Sequence, residues 1–128
     1  MKEQPQKPTT SELEILHVLW ERGPSTVREV HDALSEKKDL GYTTVLKLLQ
    51  IMTTKGLVRR NEEQRAHVYE ACQPATETKR QLVGDVLNRV FEGSASELMI
   101  HALEGRRTSK EELDELRRLL DEYEGRSR

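Results

Sequence analysis

Thr43, Lys47, Gln50 and Thr54 are side chains that donate hydrogen bonds, spaced three or four residues apart. A helix turns about 100° per residue, so it gathers them on one face. Val45, Leu48, Leu49 and Met52 fall on the opposite face. Such a helix packs one side on a core and offers the other to a polar partner. Gln can read adenine, Lys can read guanine, and threonine hydroxyls serve bases or phosphates. Thr44 lies beside this face near the helix start, where it can donate to a phosphate. Leu46, on the flank, is placed either to meet a thymine methyl or to pack against the preceding helix. Downstream, Arg59, Arg60 and Arg65 suit backbone phosphates or the minor groove. The alternative for these arginines is solubilising charge on an exposed strand edge. The alternative for the helix face is solvated surface, or a docking module without DNA binding. Docking would favour an apolar patch, for which Leu46 and Ile51 are the only hints.

These residues need elements to hold them. Ser11 with Glu14 fits a capping box. Leu13, Leu16, Leu19 and Trp20 then recur at helical spacing, and Gly23-Pro24 ends that helix. Thr26 with Glu29 fits a second capping box before Val27, Val30, Ala33 and Leu34, in a short helix ending near Lys37. Lys38 to Tyr42 forms a short turn into the third helix, Thr43 to Lys55, which closes on Gly56. Leu57 to Arg60 and Ala66 to Glu70 read as two strands of a hairpin around the polar stretch Asn61 to Gln64. Three helices followed by a basic hairpin is the order of a winged helix-turn-helix.

The C-terminal part differs. Pro74 marks a boundary, and helices are expected over Thr76 to Phe91, Ser96 to Leu103 and from Ser109 onward, the last opened by a third capping box with Glu112. Val83, Val86, Leu87, Val90, Phe91, Leu98, Leu116 and Leu120 form apolar faces that three short helices cannot easily bury alone. A second copy would complete that core; docking back on the N-terminal lobe is the alternative. The expected fold class is mainly α with a small β-hairpin wing. Residues 1–9 read as a flexible tail, 10–73 as a winged helix-turn-helix and 74–125 as a helical dimerisation domain.

Composition narrows the function. The chain has 128 residues, 34% hydrophobic and 34% charged, so a single compact core would be thin. Net charge is −2, but its distribution is uneven. Residues 37–65 hold seven basic and three acidic side chains, between flanks with an acidic excess. One cysteine, Cys72, excludes an internal disulfide and suits a reducing compartment. No secretory signal or membrane-length apolar run is read, so a cytoplasmic protein without membrane insertion is expected. His17, His31, His67 and His101 are scattered, without a metal-ligand spacing or a Gly-rich phosphate loop. His67 and Cys72, five apart, would face opposite sides of a strand. No enzyme activity, cofactor or metal is expected.

Glu12 to Leu16 through Trp20, Thr26 to Val30, Tyr42 to Val45, Lys55 to Val58 and Arg65 to Tyr69 together resemble the penicillinase repressor family. That family is of BlaI/MecI type, with the copper-responsive CopY type as a branch. The resemblance covers about residues 9–123. It implies a homodimeric transcriptional repressor whose winged helix binds half of a palindromic operator in double-stranded DNA and whose C-terminal helices dimerise. It also implies a membrane sensor metalloprotease as a partner, which in β-lactam-responsive members cuts an Asn-Phe bond in the short C-terminal helix. The matching positions here are His101-Ala102. The copper branch carries Cys-x-Cys pairs near its C-terminus, and no cysteine follows Cys72 here.

Overall fold

The computed structural model describes residues 6–63 and 65–126. In chain order the elements are α1 (Thr10–Arg22), β1 (Ser25–Thr26), α2 (Val27–Ser35), α3 (Tyr42–Lys55), β2 (Val58–Asn61), β3 (Val68–Ala71), α4 (Ala75–Arg89), α5 (Ala95–Glu104) and α6 (Lys110–Arg126). The chain divides into two compact units, and the division falls inside α4, between Leu82 and Val83. Of the expected tail, residues 1–5 lie outside the described residues, as does Gln64 in the hairpin turn. Gln6 is tied down, its N–H donating to the Lys55 carbonyl at 3.2 Å.

In the N-terminal unit, α1 starts on a capping box, but not the one expected at Ser11 and Glu14. Thr9 is the cap: its hydroxyl accepts the Glu12 N–H at 3.2 Å, and the Glu12 carboxylate accepts the Thr9 N–H at 2.9 Å. Both registers fit the same sequence pattern. In the one observed, Glu12 also meets Lys55, and Glu14 is left to accept from Lys38 Nζ at 2.8 Å. The Thr26–Glu29 box forms on α2 as expected, with both reciprocal bonds present. That helix ends at Ser35, and the N–H groups of Lys37 and Lys38 both donate to the Leu34 carbonyl. At the end of α3, Gly56 takes the left-handed conformation (φ 82°, ψ 14°), and the Leu57 N–H returns to the Met52 carbonyl at 2.9 Å.

The hairpin gains a third strand. The sheet order is β1-β3-β2, all antiparallel, with Ser25 opposite Tyr69 and Arg60 opposite Tyr69 on the other side. At two residues, β1 is too short for any alternation pattern to reveal. Tyr69 is buried at the centre of this sheet. Around it pack Ile15, Leu16 and Leu19 from α1, Val30 and Leu34 from α2, Val45, Leu49 and Met52 from α3, and Val58 from β2. Each such side chain contributes about 1.5–3 kcal/mol of burial. The Trp20 indole donates to the Gln73 carbonyl at 3.0 Å, which ties the approach to α4 back onto α1.

The C-terminal unit is locally well formed but thinly cored. Ser94 caps α5 by accepting the Glu97 N–H, and Ser109 accepts the Glu112 N–H at the start of α6. Glu92 and Gly93 both take positive φ in the turn between α4 and α5. Neither α5 nor α6 has a buried residue, and the buried residue of α4, Thr78, belongs to the N-terminal unit. Among the described residues, no helix is long and apolar enough to cross a membrane.

One buried ion pair joins the two ends of the N-terminal helical layer. Glu12 Oε1 lies 2.6 Å from Lys55 Nζ, and the carboxylate side chain is only 3% exposed. Burial, the largest single influence, pushes the Glu12 pKa up. The Lys55 hydrogen bond, the Thr9 amide and the Lys55 charge together outweigh it, so the carboxyl lies below its ordinary value of 4.5. The ionised form is therefore the one the fold favours. Its contribution is present above that ordinary value and is lost as pH falls through the folded pKa. Lys55→Met should leave a buried charge unpaired and cost about 3 kcal/mol at pH 7. Denaturant unfolding at a series of pH values should show the gap from wild type narrowing as pH falls, and closing only below the lowered wild-type pKa, where Glu12 is protonated in both proteins.

Candidate nucleic-acid interface

The core residues of α3 determine what it shows outside. Val45, Leu49 and Met52 are completely buried, so the helix cannot roll. Thr43, Thr44, Lys47, Gln50 and Thr54 are all exposed. The first four of these, with Leu46, line one shallow depression on the surface. Thr54 does not join it. Its hydroxyl donates back to the Gln50 carbonyl at 3.3 Å, so the expected donor is spent within the helix. Leu48, expected in the apolar stripe, is half-buried against the core. Leu46 packs against the core and also lines the outer depression.

The wing arginines divide into two kinds. Arg59 and Glu70 are cross-strand partners in the β2–β3 register, and Arg59 Nε meets Glu70 Oε1 at 2.6 Å. The hydrogen bond and charge of Glu70 raise the Arg59 pKa, so the guanidinium is firmly charged but already accompanied. Arg60 pairs with Glu62 at 2.6 Å. Both pairs are exposed, and exposed pairs hold weakly, at roughly 0–1 kcal/mol, so a phosphate can displace the carboxylate. Arg65, exposed near the hairpin turn, makes no ion pair among the described residues.

Arg28 and Tyr42 extend this surface beyond the residues singled out from the sequence. The Arg28 guanidinium lies 5.4 Å from the centroid of the Tyr42 ring. A groove of about 300 Å³ runs between the starts of α2 and α3 and the hairpin, lined by Arg28, Tyr42, Leu46, Arg65 and His67 among others. No spacing rule brings position 28 to position 42; only the packing of α2 on α3 does.

The remaining candidates lie elsewhere. Val83, Val86, Val90 and Leu120 are exposed, whereas Leu87, Phe91, Leu98 and Leu116 are half-buried. His101 and Ala102 are exposed on α5, and the His101 ring lies 5.7 Å from that of Phe91. His17 is exposed and meets the Trp20 ring edge-on at 5.3 Å. Burial, the largest influence on it, raises the Cys72 pKa, so the thiol stays protonated at neutral pH. Among the described residues, no cluster of His, Cys, Asp or Glu is arranged to hold a metal ion.

The chain can be compared with known proteins on this basis. Residues 8–122 match the family model described as penicillinase repressor. The transcriptional regulator BlaI of Mycobacterium tuberculosis (strain CDC 1551 / Oshkosh) is 39% identical over 112 residues, covering 86% of this chain and 80% of that protein. The penicillinase repressor of Bacillus licheniformis is 27% identical over 128 residues, covering 100% of this chain and 99% of that protein. A solution structure of the monomeric form of Bacillus licheniformis BlaI, in complex with the blaP half-operator, superimposes with a TM-score of 0.50 at 27% identity. It covers 60% of this chain and 93% of that one. This chain belongs to the penicillinase repressor family.

Proposed function

We propose that this protein is a transcriptional repressor that binds duplex operator DNA with α3 in the major groove and the β2–β3 wing against the backbone. The observation that carries the reading is the face of α3. Thr43, Lys47 and Gln50 are exposed together on a helix whose other side is locked by three fully buried residues. A fixed row of donors is what base readout requires. The half-operator complex of the similar BlaI structure supports the same reading.

In this reading Lys47 and Gln50 contact base edges, while Thr43 serves bases or phosphates. Thr44 and Arg65 contact phosphates, and Arg59 and Arg60 do so by exchanging their carboxylate partners. Leu46 supplies an apolar edge for a thymine methyl. Thr54 donates only by exchanging its bond to the Gln50 carbonyl. The protein acts in the cytoplasm.

The helices of residues 74–125 form the dimerisation domain of a homodimer on a palindromic operator. What supports this is exposure: Val83 is 53%, Val90 66% and Leu120 68% exposed, in a unit whose α5 and α6 bury no residue of their own. A second copy would cover Val86, Leu87, Phe91, Leu98 and Leu116 as well. Two-fold symmetry in the protein would match two-fold symmetry in the operator. Release by a membrane sensor metalloprotease would act at His101-Ala102, which lie exposed on α5.

Fluorescence anisotropy against the gene's own upstream duplex and a scrambled duplex, at two salt concentrations, tests the reading. Preference for the native duplex by about 10³ or more is expected; equal, steeply salt-dependent binding to both would refute base readout. Lys47→Ala should lose about 1–3 kcal/mol on the operator and relax selectivity at one base pair. Arg65→Ala should weaken binding to both duplexes alike and reduce the salt slope by about 1. Leu120→Asp should convert the dimer to monomer in sedimentation and lose most operator affinity; a dimer that survives would remove Leu120 from the interface.

A further inference from the structure

We propose that Arg28, held against the ring of Tyr42, forms with Arg65 a clamp for a DNA backbone phosphodiester at the edge of the groove that α3 enters, with Tyr42 as its positioning residue. The inference rests on the DNA-binding reading above and goes further by assigning a phosphate site off the recognition helix. Three observations carry it. Arg28 and Arg65, on separate elements, line the same groove of about 300 Å³. Neither makes an ion pair among the described residues, in contrast to Arg59 and Arg60. The groove is also continuous with the readout surface, because Leu46 lines both.

Tyr42 gives the site its geometry. It is the first residue of α3 and is 44% exposed, an unusual place to leave a large ring. The Arg28 guanidinium lies 5.4 Å from its centroid, within the range of a cation–π contact. His31 lies 6.2 Å from the same ring in an edge-on arrangement. A free arginine on a helix start samples many rotamers, and ordering them opposes binding. A guanidinium already held over a ring loses less. The first helix of a helix-turn-helix crosses the DNA backbone, and Arg28 is the second residue of α2. The clamp should therefore add affinity without sequence information.

The test is anisotropy on operator and scrambled duplexes across salt concentrations, with Arg28→Ala, Tyr42→Leu, Tyr42→Phe and the double variant Arg28→Ala/Tyr42→Leu. Circular dichroism melts of each variant confirm folding. Arg28→Ala should weaken both duplexes by about tenfold and lower the salt slope by about 1. Tyr42→Leu should weaken both by about threefold, and should cost almost nothing further once Arg28 is alanine. Tyr42→Phe should bind like wild type, since the ring and not the hydroxyl does the positioning. If wild type binds DNA but Arg28→Ala changes neither affinity nor slope, the clamp is overturned while the repressor reading stands. Independent, additive losses from Arg28→Ala and Tyr42→Leu would overturn the positioning role, as would a Tyr42→Phe loss equal to that of Tyr42→Leu. If wild type binds no duplex, the repressor reading falls and the clamp with it.

Discussion

The rotational setting of α3 is the constraint on which the rest of the N-terminal unit depends. A helix that reads a surface is useful only if its side chains arrive at fixed angles, and a roll of one residue moves every side chain by about 100°. Val45, Leu49 and Met52, without exposed area, prevent that roll. Everything packed around them serves the same end. Helices α1 and α2 supply Ile15, Leu16, Val30 and Leu34, and the sheet supplies Val58 and Tyr69. At the C-terminal end of α3 the control is electrostatic: Lys55 is pinned to Glu12, whose carboxylate also closes the first turn of α1. The helix is thus stopped from turning by packing and from sliding by an ion pair at its end.

The two compact units spend their apolar residues differently. The N-terminal unit buries twelve hydrophobic side chains in one cluster and leaves its donors outside. The C-terminal unit forms capped helices and yet leaves Val83, Val90, Ile100, Leu120 and Tyr123 more than half exposed. Large exposed apolar side chains on one set of helices mark an interaction surface more often than a defect. In the first unit, self-sufficiency fits a rigid reader of DNA. In the second, insufficiency fits a unit completed by a second copy.

Much of the fold was legible because its signals are local. The Thr26–Glu29 box, Gly23, Gly56 and the apolar spacing of α3 each act within a few residues, and the helices they bound lie within a residue or two of expectation. Legibility failed where two local answers were equally good or where the deciding contact was distant. Thr9–Glu12 and Ser11–Glu14 satisfy the same pattern, and only the partner Lys55, 43 residues away, distinguishes them. Strand β1 exists because β3 passes beside it. The candidate site divides the same way. The exposed face of α3 followed from periodicity, but Thr54 turned out to satisfy its own helix. The pairing of Arg59 with Glu70 required the hairpin register, and the meeting of Arg28 with Tyr42 required the packing angle of two helices.

The paired arginines of the wing have a physical logic of their own. An unopposed row of three cations on one hairpin would bind any polyanion, since phosphate affinity is largely independent of sequence. Placing Glu70 against Arg59 and Glu62 against Arg60 lowers the field of the free wing. Each carboxylate must be displaced before the arginine can meet a phosphate, which takes a small, roughly uniform amount from every DNA complex. Binding at a wrong sequence has little else to offset that cost, whereas binding at the right one has the contacts of α3. A uniform cost leaves the ratio of specific to non-specific affinity unchanged; acidic partners on the wing lower the occupancy of weak complexes, and in the proposed reading the preference itself rests on α3. The surface near α3 is thus graded: wing cations that are neutralised until exchanged, Arg65 and the ring-held Arg28 without a carboxylate partner among the described residues, and a fixed row of donors between them.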